Sequence, residues 1–189
     1  MSGQIEDLEK DIRGCEKCGL SEKRTQIVIG DGTSEADILF IGEAPGRQED
    51  KKGRPFVGRA GKILDGLLEE IGLDREDVYI TNIVLCRPPN NRDPEEEEID
   101  RCTGYLDKHI KIVDPDVIVP LGSFATSYIL DKYGLGDGSI SRLHGEVFSV
   151  SNLEGNFKIV PQYHPAAALY NPDLREVLEE DFRRVSEVL

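Results

Sequence analysis

The sequence predicts an α/β fold built on a mostly parallel sheet covered on both faces, and three observations carry that expectation. Short apolar runs at 36–41, 78–84 and 116–121 lack the in–out alternation of a half-solvated strand, so both faces of each should be buried. Segments with apolar residues at helical spacing lie between them, and strands that alternate with helices pair in parallel through crossovers. The chain has 189 residues, 38% hydrophobic and 32% charged, which is enough for one compact domain and too few for two ordinary ones.

Taken in order, Ile5, Leu8 and Ile12 predict a short amphipathic helix over 5–12 running into Cys15 and Cys18. Ala36 to Ile41 is a buried strand, ended by the Gly/Pro-rich loop Gly42, Glu43, Ala44, Pro45, Gly46. Ile63, Leu64, Leu67, Leu68 and Ile71 repeat at helical spacing, with Gly72 as a stop. Val78 to Val84 is β-branched and strand-like. Asp93 offers an N-cap, Pro94 suits a first helical turn, and Glu95 to Glu98 favour the positive end of the helix dipole. On that helix Ile99, Cys102, Leu106, His109 and Val113 share one face. Asp116 to Leu121 is a third strand, followed by a helix from about Ser123. Glu146–Val150 and Lys158–Gln162 read as two strands joined by a turn over Asn152–Asn156. Asn171 and Pro172 open the last helix, which buries Leu174, Val177, Leu178, Phe182 and Val185. No internal repeat, low-complexity tract or linker interrupts this series.

Lys+Arg 23 against Asp+Glu 37 gives a net charge of −14, which excludes a broadly basic nucleic-acid coat. Contact with DNA, RNA or an anionic membrane then requires a local basic patch. No apolar run approaches a membrane span and the first residues do not read as a signal peptide, so a soluble intracellular (cytoplasmic) protein is expected, without a membrane partner. In a reducing compartment four cysteines read as metal ligands more readily than as disulfides. Cys15 and Cys18 form a CxxC pair, Cys86 follows a strand, and Cys102 sits on an inward helix face. One four-cysteine site follows. Scattered buried thiols are the bland alternative, and spacing alone does not separate zinc from an iron–sulfur cluster.

In a parallel α/β sheet, sites gather beyond the carboxyl ends of the strands. Four such ends carry distinctive sequence: Gly42-Glu43, Thr81-Asn82, Gly122-Ser123 and Tyr163-His164-Pro165. Glu43 reads either as a solvated loop carboxylate or as a group that orients water and stabilises a cation. Asn82 is either a turn former or an amide that reads a base edge with both donor and acceptor. His164 either bonds nearby backbone or donates to a leaving group. Phe56 is either core or a stacking platform for a planar base. Residues 47–62 hold Arg47, Lys51, Lys52, Arg54, Arg59 and Lys62 against Glu49 and Asp50, and form either a solvated face or a phosphate track.

Together, Gly42 to Gly46, Gly53 to Gly58, Thr81 to Pro89 and His164 to Ala166 resemble the family 4 uracil-DNA glycosylases, with the motifs in that family's order from Cys15 to Asn171. The resemblance implies a three-layer α/β/α sandwich formed by residues 1–189 as a single domain. Residues 1–20 are then tied on by a [4Fe-4S] cluster held by Cys15, Cys18, Cys86 and Cys102. It implies flipping of uracil out of single- or double-stranded DNA and hydrolysis of its N-glycosidic bond, with Glu43 and His164 catalytic. Gly42, Ala44, Glu49, Phe56 and Asn82 would bind substrate, Glu49 excluding the methyl group of thymine. Leu169 and Tyr170 fall where relatives push a wedge toward DNA, although many relatives carry a basic residue at the Tyr170 position. The expected partner is uracil-containing DNA, the expected state a monomer, and a sliding-clamp contact is an expectation pinned to no residue. Two alternatives belong to other classes: a non-catalytic iron–sulfur DNA-binding or electron-transfer protein, and an enzyme acting on free nucleotides.

Overall fold

The computed structural model describes residues 2–152 and 155–189. Its helices are α1 (Ser2–Arg13), α2 (Arg47–Lys52), α3 (Arg59–Glu70), α4 (Glu96–Val113), α5 (Ser123–Lys132), α6 (Ile140–Leu143), α7 (Ala167–Tyr170) and α8 (Leu174–Glu187). Its strands are β1 (Asp31–Gly32), β2 (Ile38–Gly42), β3 (Tyr79–Asn82), β4 (Val117–Pro120), β5 (Phe148–Asn152) and β6 (Gly155–Ile159), ordered β1-β3-β2-β4-β6-β5 in one sheet. The four central strands pair in parallel, and the edges β1 and β5 are antiparallel.

The non-alternating apolar runs have the expected cause. Leu39 and Ile41 of β2 pack on one face with Leu8 and Ile12 of α1, Leu106 and Ile110 of α4, and Ala125 and Ile129 of α5. Ile38 and Phe40 of the same strand face the other way, onto Leu64 and Leu68 of α3 and Leu178 and Phe182 of α8. Phe40 and Phe182 stack with centroids 5.6 Å apart. With both sheet faces covered by helices, the architecture is the three-layer α/β/α sandwich.

The boundaries depart from the sequence reading where local hydrogen bonds decide. β3 ends at Asn82 rather than Val84, because the Ile83 and Val84 amides turn to the Gly42 and Glu43 carbonyls at 2.9 and 3.0 Å. Asp93 does not cap α4. Glu95 does, through a capping box in which its amide donates to Glu98 at 2.8 Å, and Pro94 therefore lies outside the helix. Residues 47–52, to which the sequence reading assigned no element, form α2, which Gly53 ends in a left-handed conformation at φ 68°. β5 and β6 both lie closer to their hairpin tip than expected; of the turn assigned to Asn152–Asn156, Leu153 and Glu154 lie outside the described residues. The last helix starts at Leu174 after Asp173, and its buried positions are Leu178, Asp181, Phe182 and Val185, with Leu174 and Val177 only half-buried. The two-residue β1 had no apolar signature to find.

Candidate active site

Parallel register sets the site. Gly42 pairs with Asn82, so the carboxyl ends of β2 and β3 fall level. Beyond β4, Leu121 bridges to Gln162 and the Gly122 amide donates to the Gln162 carbonyl at 2.8 Å, which brings His164 to the same end of the sheet. A Cβ on Gly122, whose φ is 90°, would lie 3.1 Å from the His164 Cβ, so this turn needs glycine twice over.

Gly42 is the point of convergence. A Cβ there would lie 2.8 Å from Cε2 and Cζ of Phe56 and closer still to Oδ1 of Asn82. Phe56 in turn stacks on His164, with centroids 5.5 Å apart and planes at 27°. The sequence-predicted Gly42, Phe56, Asn82 and His164 therefore meet around one spot. Asn82 is 2% exposed, and among the described residues nothing hydrogen-bonds its side-chain amide. Asn82 is not among the residues with a polar atom sealed from solvent without a partner, so its amide stays open to whatever enters the recess. Glu49 joins the group from α2: its Oε1 accepts the Val57 and Gly58 amides at 2.9 and 2.8 Å, bracing the chain just after Phe56. Ala44 is half-buried and packs on the α4-side core.

The electrostatics assign distinct states to the titratable groups. The Ala166 amide donates to Nδ1 of His164 at 3.1 Å, which leaves the ring proton on Nε2. Burial pushes the His164 pKa down to about 4, opposed by the negative charge of Glu49, so at neutral pH the ring is an uncharged Nε2–H donor. Glu43 is half-buried; desolvation, and then the charge of Asp93, raise its pKa above the ordinary value. Asp93, expected to cap a helix, instead lies in the electrostatic field of Glu43. No sequence pattern marks such a pairing across a loop.

On the other side of the loop that follows β3, Cys15, Cys18, Cys86 and Cys102 line one hollow together with Lys17, Arg24 and Tyr105. Burial first, and then the charge of the neighbouring cysteines, push the Cys86 and Cys102 thiols up from their ordinary value. Arg24 donates to Cys86 Sγ at 3.3 Å and the Leu85 amide to Cys102 Sγ at 3.4 Å, the kind of N–H donors that stabilise thiolate ligands. Among the described residues no three His, Cys, Asp or Glu side chains are set to hold a single metal ion.

Of the basic run, Arg54 is spent on Asp31 in a bidentate pair, whereas Arg47, Lys51, Lys52, Arg59 and Lys62 are exposed and make no ion pair among the described residues. They lie on α2 and the first turn of α3, flanking Phe56. Tyr170, at the end of α7, is 82% exposed. A hollow of about 320 Å³ between α4, α5 and Phe157 lies at the other end of the sheet and contains none of these residues. Among the described residues no helix is long and apolar enough to cross a membrane.

Residues 29–185 match the family model described as the Uracil DNA glycosylase superfamily. The chain is 52% identical to a type-4 uracil-DNA glycosylase of Saccharolobus solfataricus, over 96% of this chain and 85% of that protein. It is 50% identical to one from Sulfurisphaera tokodaii, over 97% and 84% of the respective lengths, and 43% identical to one from Thermotoga maritima, over 95% and 92%. With a match spanning most of its length and relatives about half identical throughout, the chain belongs to the uracil DNA glycosylase superfamily.

Proposed function

We propose that this chain is a DNA repair glycosylase that hydrolyses the N-glycosidic bond of deoxyuridine and leaves an abasic site. The observation that carries the reading is the meeting of Phe56, Asn82 and His164 around Gly42 at one end of the sheet. A base within a duplex cannot reach such a recess, so the nucleotide is rotated outward and held. Phe56 stacks on the uracil ring, and the partner-free Asn82 amide donates to O4 and accepts from N3–H. Cytosine reverses both, which leaves polar groups unpaired in a dry site at about 1–3 kcal/mol. Gly42 and Ala44 offer backbone contacts, and Glu49, fixed by two loop amides, forms the wall that a C5 methyl group meets.

As the C–N bond lengthens, the base becomes anionic and the sugar oxocarbenium-like. The Nε2–H of His164 donates to O2, where negative charge develops, and a neutral donor does this without needing to be protonated first. Glu43, as the carboxylate, stabilises the cation and positions the attacking water. The exposed cations of α2 and α3 take phosphates, and Leu169 and Tyr170 press into the space that the extruded base vacates.

Cys15, Cys18, Cys86 and Cys102 would hold a [4Fe-4S] cluster, whose chemistry here is structural cross-linking rather than electron transfer to substrate. Residues 1–189 then act as a single intracellular, monomeric domain. Its first 20 residues are secured both at the cysteines and by Leu8 and Ile12 in the core. Incubation with uracil-containing and matched cytosine-containing oligonucleotides, followed by alkali, tests the function. Cleavage only at uracil is expected. No uracil-dependent cleavage would refute the glycosylase reading, and release of uracil from mononucleotides alone would replace it with nucleotide processing.

A further inference from the structure

Phe56 sits at φ 50°, a left-handed backbone that disfavours an L-residue by about tenfold in population. Something must hold it there, and the contacts converge on Arg75, in the 3-10 turn Arg75–Asp77 that precedes β3. Nη1 of Arg75 donates to the Pro55 carbonyl at 3.1 Å and Nη2 donates to the Phe56 carbonyl. The guanidinium is itself fixed, with Nε on Asp65 of α3 at 2.5 Å and Nη1 on Asp31 at 3.0 Å, and its side chain is 18% exposed. Asp31 also receives Arg54, so its orientation is set from a second side. Gly61 completes the seat: a Cβ there would lie 1.7 Å from the Phe56 carbonyl oxygen, so α3 packs directly against the peptide that Arg75 bonds.

We propose that Arg75 is a positioning residue for base recognition: by gripping two successive carbonyls while anchored to Asp31 and Asp65, it holds Phe56 in its left-handed conformation with the ring facing Gly42 and His164. The planar five-donor fork is what this needs, since an ammonium cannot span two carbonyls and two carboxylates at once. Arg75 touches no reacting atom, and its effect passes entirely through Phe56. The inference therefore rests on the stacking role given to Phe56 above. Without the grip only a fraction of molecules present the ring, and apparent affinity falls by that fraction.

The test is steady-state excision on a uracil-containing oligonucleotide, with thermal unfolding in parallel, for Arg75→Lys, Arg75→Gln, Phe56→Ala and the Phe56→Ala/Arg75→Gln double variant. Both Arg75 variants should raise KM about tenfold with kcat within about twofold. Phe56→Ala should raise KM at least as much, and adding Arg75→Gln to it should raise KM no further. If Phe56→Ala is impaired while the Arg75 variants keep the parental KM, this inference is overturned and the stacking role stands. A further KM increase in the double variant also overturns it, because Arg75 would then act independently of the ring. An unimpaired Phe56→Ala variant overturns the stacking role itself, and this inference with it. Should Arg75→Gln not fold, Arg75→Lys carries the test alone and in the Phe56→Ala background, because it keeps a charge for both carboxylates.

Discussion

Replacing Gly42 by alanine adds one methyl group where Phe56 Cε2 and Cζ would lie 2.8 Å away and Asn82 Oδ1 nearer still. Side-chain carbons do not tolerate such contacts, so something must move, and neither neighbour yields readily. Asn82 is 2% exposed and Phe56 6%, and the Phe56 backbone is bound to Arg75. Overpacking of this kind costs about 1–3 kcal/mol, or roughly 3–10 °C in Tm for a chain of this size. The larger effect falls on catalysis. Shifting the Asn82 amide by a few tenths of an ångström weakens two hydrogen bonds to uracil worth about 0.5–1.5 kcal/mol each, so kcat/KM should fall roughly 10- to 100-fold. Gly66→Ala is the internal control: a Cβ there meets nothing within 4 Å, and an alanine inside α3 should stabilise by about 0.5–1 kcal/mol with activity unchanged. Excision kinetics and thermal unfolding on both variants decide the matter. A Gly42→Ala enzyme with kcat/KM within twofold of the parent would refute the convergence on which the site rests.

Four other outcomes are expected. Asn82→Asp should relax discrimination toward cytosine, because a protonated carboxyl complements its altered edge; unchanged selectivity on uracil and cytosine oligonucleotides would count against the readout role. Activity should fall on acidification, as Glu43, raised above the ordinary carboxylate range, takes up a proton before His164 does near its pKa of about 4. In Glu43→Gln the residual activity should lose the first of these limbs in a pH–rate profile. His109 is fully buried, bonded to Tyr79 through Nδ1 at 3.1 Å, and desolvation lowers its pKa from 6.5 to about 4. The unfolded chain therefore binds the proton first, and stability is lost as pH falls from about 6.5 toward 4, by up to about 3 kcal/mol. His109→Phe should flatten that part of the denaturation-versus-pH curve. Purified protein should be brown with absorbance near 400 nm, and bleaching it should lower Tm; a colourless zinc protein with full activity would remove the cluster.

The central elements were legible because their signals are local. The stretches 38–41 and 117–121 are apolar at every position, and only a strand buried on both faces requires that, so the layered fold follows from composition along a few residues. Helical spacing at Leu64, Leu67 and Leu68 marked the face that α3 buries. Boundaries were less legible where two local devices compete: Asp93 and Glu95 can both cap α4, and the reciprocal bond with Glu98, itself held by Arg92 at 2.6 Å, selects Glu95. Residues 47–52 gave no helix signal because six mostly charged residues carry no apolar periodicity, and Gly53 completes the helix only in context.

The sequence by itself determined which chemistry was on hand: a carboxylate, an amide, an imidazole and an aromatic ring beside strand ends, and four thiols able to share a site. Each is a residue type in a local pattern, and local patterns survive without coordinates. Tertiary structure alone decided how they are used. Parallel register levels Gly42 with Asn82, one backbone amide fixes the tautomer of His164, and burial strips its charge. Arg75, from a turn 19 residues along the chain, bonds the Phe56 carbonyl. These are long-range geometric and dielectric effects, set by what the folded chain places around each group, and they leave no mark on neighbouring letters of the sequence.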